Sequence, residues 1–209
     1  MDTGLSTKSA KRGRPARSEG EISDMRATIA RHAMRLFQEN GYEAVSMRRL
    51  AKEAGCTVMT LYRYYERKID ILRQLWAEIF DELFDELDAI AVAETDPDAR
   101  LHAIAFAYVN FWLERREHYF LVFMSSDVSQ SDVSVFVADD RSMARFSVFY
   151  ESLASALDLP ENDPAIALKT QQLLCALNGT AHNLITISAF PWAEPNDLVR
   201  AAVESVLKA

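Results

Sequence analysis

Apolar residues recur at helical spacing along most of the chain, and this pattern predicts an all-α fold. Ile29, Ala33, Leu36 and Phe37 form one apolar stripe that predicts a first helix, which Asn40-Gly41 would close. A longer stripe predicts one helix from Lys68 to about Val92, with these buried positions: Leu72, Leu75, Trp76, Ile79, Phe80, Leu83, Phe84, Leu87 and Ile90. No segment shows the sustained alternation that is typical of strands.

Five further helices are predicted from the same spacing and from the residues that punctuate it. Asp96-Pro97-Asp98 marks a turn and a fresh helix start, and the Ser125 to Ser134 segment is a loop by its composition. Prolines separate the last two helices from what precedes them. The predicted helices lie near Ala99–Arg116, Glu117–Met124, Val135–Asp158, Asp163–Ala189 and Asn196–Lys208.

The stretch from Ser46 to Lys68 predicts two short helices joined by a tight turn. Ser46 precedes a run of good helix formers, 47–54, and its hydroxyl can accept from an unpaired amide of the first turn. Gly55 can end that helix in a left-handed conformation, and Thr57 can cap a second helix over 58–65. A unit of this kind places its second helix in the major groove of DNA.

The side chains of the second helix divide into two sets. Leu61 and Tyr65 are four residues apart and can pack inward, whereas the other side chains point elsewhere. We expect Tyr62 and Lys68 to contact the DNA backbone. The residues expected to contact bases or phosphates are Arg48, Thr57, Val58, Met59, Thr60, Arg63 and Tyr64. The spacing alone is also compatible with an ordinary surface helix.

Taken with its flanks, the segment from Met25 to Leu72 closely resembles the N-terminal DNA-binding domain of TetR-family transcriptional regulators. The matching residues are Leu36, Phe37, Gly41, Tyr42, Ser46, Arg48, Leu50, Ala51, Ala54, Gly55, Thr60, Leu61, Tyr62, Tyr65 and Lys68. The sequence departs from the family pattern at Tyr64, where His is common, and at Tyr65, where Phe is common. These departures leave the operator sequence open. The resemblance implies a helical C-terminal domain for ligand sensing and dimerisation.

The charge distribution supports a chain with two functions. The net charge is −8, but residues 1–70 hold 14 of the 23 Lys and Arg against 9 of the 31 Asp and Glu. The remaining residues hold 9 cations against 22 anions. A basic domain joined to an acidic one is typical of a DNA-binding protein with a separate sensory or dimerisation module. We therefore expect a basic arm at 1–20, a helix-turn-helix domain at 21–70 and a sensory domain at 71–209.

Composition excludes several other classes of protein. No apolar run approaches twenty residues and no signal-peptide pattern is present, so we expect a soluble, cytoplasmic protein with no membrane partner. Cys56 and Cys175 are far apart and are expected to be small buried hydrophobes. No phosphate loop, metal-ligand spacing or nucleophile–base pair is legible, so we expect neither an enzyme nor a cofactor.

Four carboxylates on the long predicted helix, Asp81, Glu82, Asp85 and Glu86, make a divalent-metal site conceivable. Neither His nor Cys joins them, and a solvated acidic face is the interpretation that we favour. We therefore predict no metal site.

The C-terminal region is rich in large apolar residues, which typically line small-molecule pockets together with a few polar groups. Each aromatic residue taken singly is better explained as core, but the resemblance implies a pocket. Asn178 and His182 are polar residues four apart on a strongly apolar helix. The predicted pocket residues are Phe106, Trp112, Phe120, Phe123, Met143, Phe146, Tyr150, Asn178 and His182.

The last two predicted helices carry wide apolar faces that suggest a four-helix bundle between two subunits. The expected interface residues are Leu173, Leu177, Leu184, Leu198, Val199, Val203 and Val206. An intramolecular bundle is the alternative. A two-fold dimer would present two recognition helices to the half-sites of a near-palindromic operator in double-stranded DNA.

The sequence therefore predicts a homodimeric repressor that a largely apolar small molecule releases from its operator. A DNA-binding dimer without a small-molecule effector, whose C-terminal domain serves only dimerisation or protein partners, is the alternative. Neither the effector nor the operator can be named from these residues.

The basic N-terminal segment yields a first prediction. It holds five cations, Lys8, Lys11, Arg12, Arg14 and Arg17, and its Arg-Gly-Arg-Pro sequence resembles the core of an AT-hook, in which Arg12 and Arg14 would enter a minor groove. Deletion of residues 1–18 should weaken DNA binding and flatten its dependence on salt, because fewer counterions are released. Affinity titrations at several salt concentrations measure both quantities. Unchanged affinity and salt slope would mean that the segment is only a solvated basic tail.

Overall fold

The computed structural model describes residues 19–126, 128–138 and 144–208. Across these residues the chain forms ten helices and no strand, as the hydrophobic pattern predicts. The helices are α1 Glu19–Asn40, α2 Met47–Glu53, α3 Val58–Tyr64, α4 Lys68–Ala93, α5 Pro97–Glu114, α6 Arg116–Phe123, α7 Gln130–Val137, α8 Ser147–Leu157, α9 Pro164–Thr186 and α10 Pro195–Leu207.

Local capping signals set the boundaries of the first three helices. The Ser46 hydroxyl accepts from the Arg49 amide at 3.2 Å, and the Thr57 hydroxyl accepts from the Thr60 amide at 3.0 Å. Gly55 ends the turn after α2 with φ of 68°, a left-handed value that carries little cost only for glycine. These features confirm the predicted helix–turn–helix unit.

The long helix α4 packs against both the N-terminal helices and the C-terminal bundle. All its predicted stripe residues are buried except Ile90, which is half-buried. Its first turns pack against α1, and its later turns pack against α5, α6 and α8. The Trp76 indole N–H donates to the Leu121 carbonyl at 3.0 Å, which ties α4 to the middle of α6. The two halves of the chain therefore share one structural element.

The C-terminal core is built around α5, which α4, α8, α9 and α10 surround. Tyr108, Phe111, Trp112 and Phe149 are almost fully buried there and meet edge to face. Such contacts are a favourable geometry for aromatic rings.

The predicted Val135–Asp158 helix is wrong, because the chain forms α7 and α8 there, and α7 begins inside the predicted Ser125–Ser134 loop. The Ser129 hydroxyl caps α7 by accepting from the Asp132 amide at 3.1 Å. Phe136 and Phe146 both contact the Phe80 ring, at centroid distances of 5.8 and 6.2 Å. Phe136 belongs to α7 and Phe146 immediately precedes α8, so the Phe80 ring joins two separate helices.

Within the described residues α1 spans Glu19–Asn40, and the predicted division of the chain at residues 20 and 70 stays a prediction. Cys56 is half-buried, as expected for a small hydrophobe, but Cys175 is exposed.

Five of the seven predicted interface residues lie inside the single chain. Leu173, Leu177, Val199, Val203 and Val206 are buried where α9 and α10 pack against α5 and each other. Burial within one chain leaves these side chains no surface to offer a partner. Leu184 and Leu198 are half-buried and keep part of their surface.

The acidic face of α4 is partly neutralised by arginines and is not simply solvated. Arg145 approaches Asp85 and Asp88 at 2.7 Å each, and Arg115 approaches Glu82 at 3.1 Å. Within the described ranges, no cluster of three or more His, Cys, Asp or Glu side chains is placed to hold a metal ion. None of the described helices combines the length and the apolar character needed to cross a bilayer.

Candidate nucleic-acid interface

The second short helix, α3, separates an inward face from an outward face as predicted. Leu61 and Tyr65 are buried against the N-terminal core, whereas Met59 is 73% exposed and Tyr62 is also exposed. Arg63 is exposed and forms no ion pair with a described residue. A helix with this division can be held by one face while the other face contacts DNA.

Tyr65 anchors the end of α3. Its hydroxyl donates to the Gln74 side-chain oxygen on α4 at 2.6 Å, and the Arg26 guanidinium of α1 lies 5.5 Å from the centre of its ring. Burial raises the pKa of Tyr65 to about 12, so the phenol stays protonated and donates at neutral pH. Where Phe is common in the family pattern, Tyr65 adds a polar link between α3 and α4.

The other outward residues predicted to contact DNA differ in their availability. Val58 and Tyr64 are half-buried and pack against the core, so less of their surface is available than predicted. The hydroxyls of Thr57 and Thr60 lie 2.9 Å apart and share a hydrogen bond. Both hydroxyls therefore already have a partner within the protein.

Arg48 is exposed in the first turn of α2 and forms no ion pair with a residue in the described part of the chain. The adjacent Arg49, which the sequence analysis did not select, is likewise exposed and outside any ion pair with a described residue. Its position next to Arg48 was the only signal for it. Arg35 of α1 pairs with Glu53 of α2 at 2.7 Å and joins these two helices.

Lys68 has a structural role that the sequence did not suggest. Its ammonium donates to the carbonyl oxygens of Tyr42 at 2.9 Å and Glu43 at 3.3 Å, and lies 4.1 Å from the centre of the Tyr42 ring. These contacts fasten the first turn of α4 to the turn between α1 and α2. A phosphate contact by Lys68 remains a prediction.

Two groups of predicted site residues fall outside the described part of the chain. They are Arg12 and Arg14 of the basic arm, and Met143 of the predicted ligand pocket.

The remaining pocket residues are only partly brought together. Trp112 is fully buried and packs edge to face against Phe123 at 5.1 Å and Phe80 at 5.9 Å. Phe106, Phe146 and Tyr150 are half-buried around the core, and Phe120 and Phe123 are exposed in large part. The structure thus places most of this set in packed core or at the surface.

Asn178 and His182 each hydrogen-bond to a tyrosine that is not among the predicted pocket residues. The Tyr108 hydroxyl donates to the Asn178 side-chain oxygen at 2.8 Å, and the Tyr119 hydroxyl lies 2.8 Å from His182 Nδ1. Burial raises the pKa of Tyr108 to about 12. The two tyrosines connect α5 and α6 to α9, so polar side chains line one side of the aromatic core.

Two clefts lie at the surface of the C-terminal helices. One, of about 430 Å³, lies between the end of α1 and α6, and Phe120 is the predicted pocket residue that lines it. The other, of about 240 Å³, lies on the outer side of α9 and is lined by Ala176, Gly179, Thr180, Asn183, Trp192 and Leu198.

The N-terminal part of the chain is similar to proteins of a known family. Residues 29–75 match the family model for bacterial regulatory proteins of the tetR family. The HTH-type transcriptional repressor KstR of Mycobacterium tuberculosis (strain ATCC 25618 / H37Rv) is 35% identical over 79 residues, which cover 38% of this chain and 36% of that repressor. KstR of Mycolicibacterium smegmatis (strain ATCC 700084 / mc(2)155) is 33% identical over 90 residues, which cover 41% of this chain and 44% of that repressor. The match thus spans less than half the length of these relatives.

Solved structures share the fold across most of the chain. The TetR family transcriptional regulator PfmR from Thermus thermophilus superposes with a TM-score of 0.59 at 20% identity, over 87% of this chain and 97% of that one. The transcriptional regulator FadR from Bacillus subtilis, in complex with stearoyl-CoA, gives a TM-score of 0.69 at 15% identity over the same shares. At such identities the likeness shows the fold.

Lys68→Met is predicted to lower the free energy of unfolding by about 1.5–3 kcal/mol, because it removes charge-assisted hydrogen bonds to the Tyr42 and Glu43 carbonyls. Lys52→Met, at an exposed lysine of α2, is the matched control and should change stability by less than about 0.5 kcal/mol. Urea unfolding of both variants measures the difference. Equal stabilities would mean that the Lys68 contacts are not structural.

Proposed function

We propose that this chain, which belongs to the TetR family of bacterial regulatory proteins, is a transcriptional regulator whose helix α3 enters the major groove of an operator. The observation that carries the proposal is the division of α3. Leu61 and Tyr65 fix the helix from within, while Met59, Tyr62 and Arg63 remain outside. A basic N-terminal region and an acidic C-terminal region favour docking through the α3 side.

Each outward residue has a proposed role in this interface. Arg63 pairs with guanine or phosphate, Met59 meets a thymine methyl group, and Tyr62 contacts the backbone. Arg48 approaches a base or a phosphate from α2, and Lys68 a phosphate from the start of α4. Thr57, Val58, Thr60 and Tyr64 complete the proposed surface to the extent that they are exposed.

The regulator is proposed to act as a homodimer that pairs through the outer faces of α9 and α10. The outer side of α9 carries Leu168, which is 70% exposed, and the small residues Ala176 and Gly179 at its cleft. Leu198 and Trp192 border the same cleft, so apolar surface continues from α9 towards α10. Small residues let two helices approach closely, and isologous pairing of this face would present two copies of α3 to a near-palindromic operator.

The regulator is further proposed to be a repressor that a largely apolar small molecule releases. The aromatic core around Trp112 and the polar pairs Tyr108–Asn178 and Tyr119–His182 support this proposal, because apolar walls with a few polar groups are typical of ligand sites. A fold relative, FadR from Bacillus subtilis, was solved with stearoyl-CoA. A ligand shifts the equilibrium only by its difference in affinity for the two states, so it must open this core in one of them.

A dimeric regulator without a small-molecule effector is the second candidate. The packing of Trp112 among Phe80, Tyr119 and Phe123 favours it, since these rings occupy the space that a ligand would need. Thermal unfolding in the presence of a metabolite panel separates the candidates, because an effector that binds only the folded protein must raise its unfolding temperature.

Selection of bound fragments from sheared genomic DNA tests the proposed function directly. The purified full chain at moderate salt should enrich fragments with a shared near-palindromic sequence. A protein that folds but enriches no sequence would contradict the proposal.

Arg63→Ala is predicted to cost about 1–3 kcal/mol on the selected duplex and to relax specificity at one base position. The reason is that a bidentate arginine contact discriminates among base pairs, whereas a phosphate contact does not. Fluorescence anisotropy with selected and random duplexes measures the two effects. Equal losses for Arg63→Ala on both duplexes would make Arg63 a phosphate contact.

Leu168→Glu is predicted to weaken the proposed dimer roughly tenfold or more, because it buries an unpaired charge at the α9 interface. The matched control is Val92→Glu, at an 85% exposed residue near the end of α4. Light scattering of both variants across a dilution series measures the dimer dissociation. If Leu168→Glu dimerises like the control, the interface lies elsewhere.

A further inference from the structure

The short helix α7 is attached to the rest of the chain through one narrow face. None of its residues is fully buried, and its exposed valines, Val133, Val135 and Val137, face away from the core. Two half-buried side chains, Asp132 and Phe136, are four residues apart and therefore share a face. An eight-residue helix is not stable by itself. The conformation of α7 therefore depends on what these two side chains contact.

Asp132 contacts the beginning of α4. Its carboxylate lies 2.7 Å from Arg73 Nη2, and Arg73 Nε donates to the Asp132 backbone carbonyl at 3.2 Å. The side chains of Arg73 and Asp132 are only 16% and 20% exposed, so water and salt screen this pair less than a surface pair. A hydrogen bond from Ser129 and the charges of Arg73 and Arg67 hold the pKa of Asp132 below its usual range.

The same carboxylate reaches the junction between α3 and α4. Arg67 caps α4, follows the last residue of α3 by three positions, and lies 3.8 Å from Asp132. Asp70 bridges the two arginines, at 3.1 Å from Arg67 and 3.4 Å from Arg73. Asp132 therefore completes an ion network on the segment that orients the recognition helix.

Phe136, one turn further along the same face of α7, contacts the aromatic core. Its ring meets Trp76 edge to face at 5.4 Å and stacks on Phe80 at 5.8 Å. Phe80 in turn touches Trp112 and Phe146, two residues of the proposed ligand site. Both side chains of α7 thus contact α4, Asp132 near its start and Phe136 further along, where Phe80 meets the aromatic core.

We propose that α7 is a clasp that couples the aromatic core to the orientation of α3, with Asp132 and Phe136 as positioning residues. This inference rests on the proposed function and names how the proposed ligand site would be regulated. An apolar molecule that enters beside Phe80 displaces the Phe136 ring. Asp132 lies one turn before Phe136 in this short helix, so loss of the Phe136 contacts loosens α7 and lets the carboxylate leave Arg73 and Arg67. The start of α4 then keeps its Lys68 and Gln74 contacts but loses the restraint that α7 provides.

Hydrogen–deuterium exchange of the full chain, measured by mass spectrometry without DNA, tests the clasp itself. Asp132→Asn should speed exchange roughly tenfold both in residues 130–137 and in residues 67–75, because the local opening that limits exchange becomes easier. Glu82→Gln is the matched control, since it breaks the Arg115 pair that joins α4 to α6. The control should leave both segments unchanged.

Two further variants separate coupling from simple local damage. Phe136→Ala removes the ring contacts to Trp76 and Phe80 and leaves the side chains of the Asp132 ion pairs in place, yet it should also speed exchange in residues 67–75. Val135→Ala, at an exposed residue of the same helix, should leave residues 67–75 unchanged. If Asp132→Asn or Phe136→Ala loosens α7 and leaves residues 67–75 unchanged, or if neither segment changes, the clasp is refuted.

Binding to the selected duplex tests the consequence for DNA. Asp132→Asn should lower the ratio of affinities for selected and random duplexes about threefold or more, because a misoriented α3 loses base contacts first. Removal of one negative charge by itself raises both affinities together and leaves this ratio unchanged. An unchanged ratio overturns the coupling to α3. If the wild-type chain prefers no duplex, the proposed function fails, and the exchange experiment alone decides whether the clasp exists.

Discussion

The continuity of α4 is the constraint on which the rest of the structure depends. Its first turns are buried against α1, and its later turns are buried against α5, α6 and α8. A helix of 26 residues transmits displacement along its length, because bending it breaks backbone hydrogen bonds. Lys68, Gln74 and Trp76 attach this helix to the α1–α2 turn, to the end of α3 and to α6. Any rearrangement of the C-terminal bundle that moves α4 must therefore also act on the helices α1, α2 and α3.

Local chemistry accounts for the parts of the fold that the sequence predicts well. Ser46, Gly55 and Thr57 act through hydrogen bonds or dihedral angles within three residues of themselves, so their effect does not depend on the rest of the chain. The stripe of α4 is equally legible, since a long helix with one continuous apolar face has few alternatives. The break between α7 and α8 is not legible in the sequence, because it depends on contacts of Phe136 and Phe146 with Phe80, which lies far earlier in the chain.

The candidate sites show the same division. Periodicity identifies which face of a helix is apolar but does not say whether that face meets its own chain or another copy, and Val203 and Leu177 are buried within their own chain. Composition likewise marked aromatic residues without separating packed core such as Trp112 from surface such as Phe120. Long-range partners were beyond pattern analysis altogether. The Lys68–Tyr42 and Tyr119–His182 contacts join residues 26 and 63 positions apart.

The separation of the two faces of α3 has an evolutionary consequence. Leu61 and Tyr65 hold the helix, whereas Met59, Tyr62 and Arg63 contribute little to the packed interior. Substitutions at exposed positions usually change stability by less than about 0.5 kcal/mol. A lineage can therefore exchange these outer side chains, and with them the DNA sequence that the proposed interface recognises, while the scaffold keeps its marginal stability. Divergence of target genes after gene duplication would then need few mutations and no compensating changes in the core.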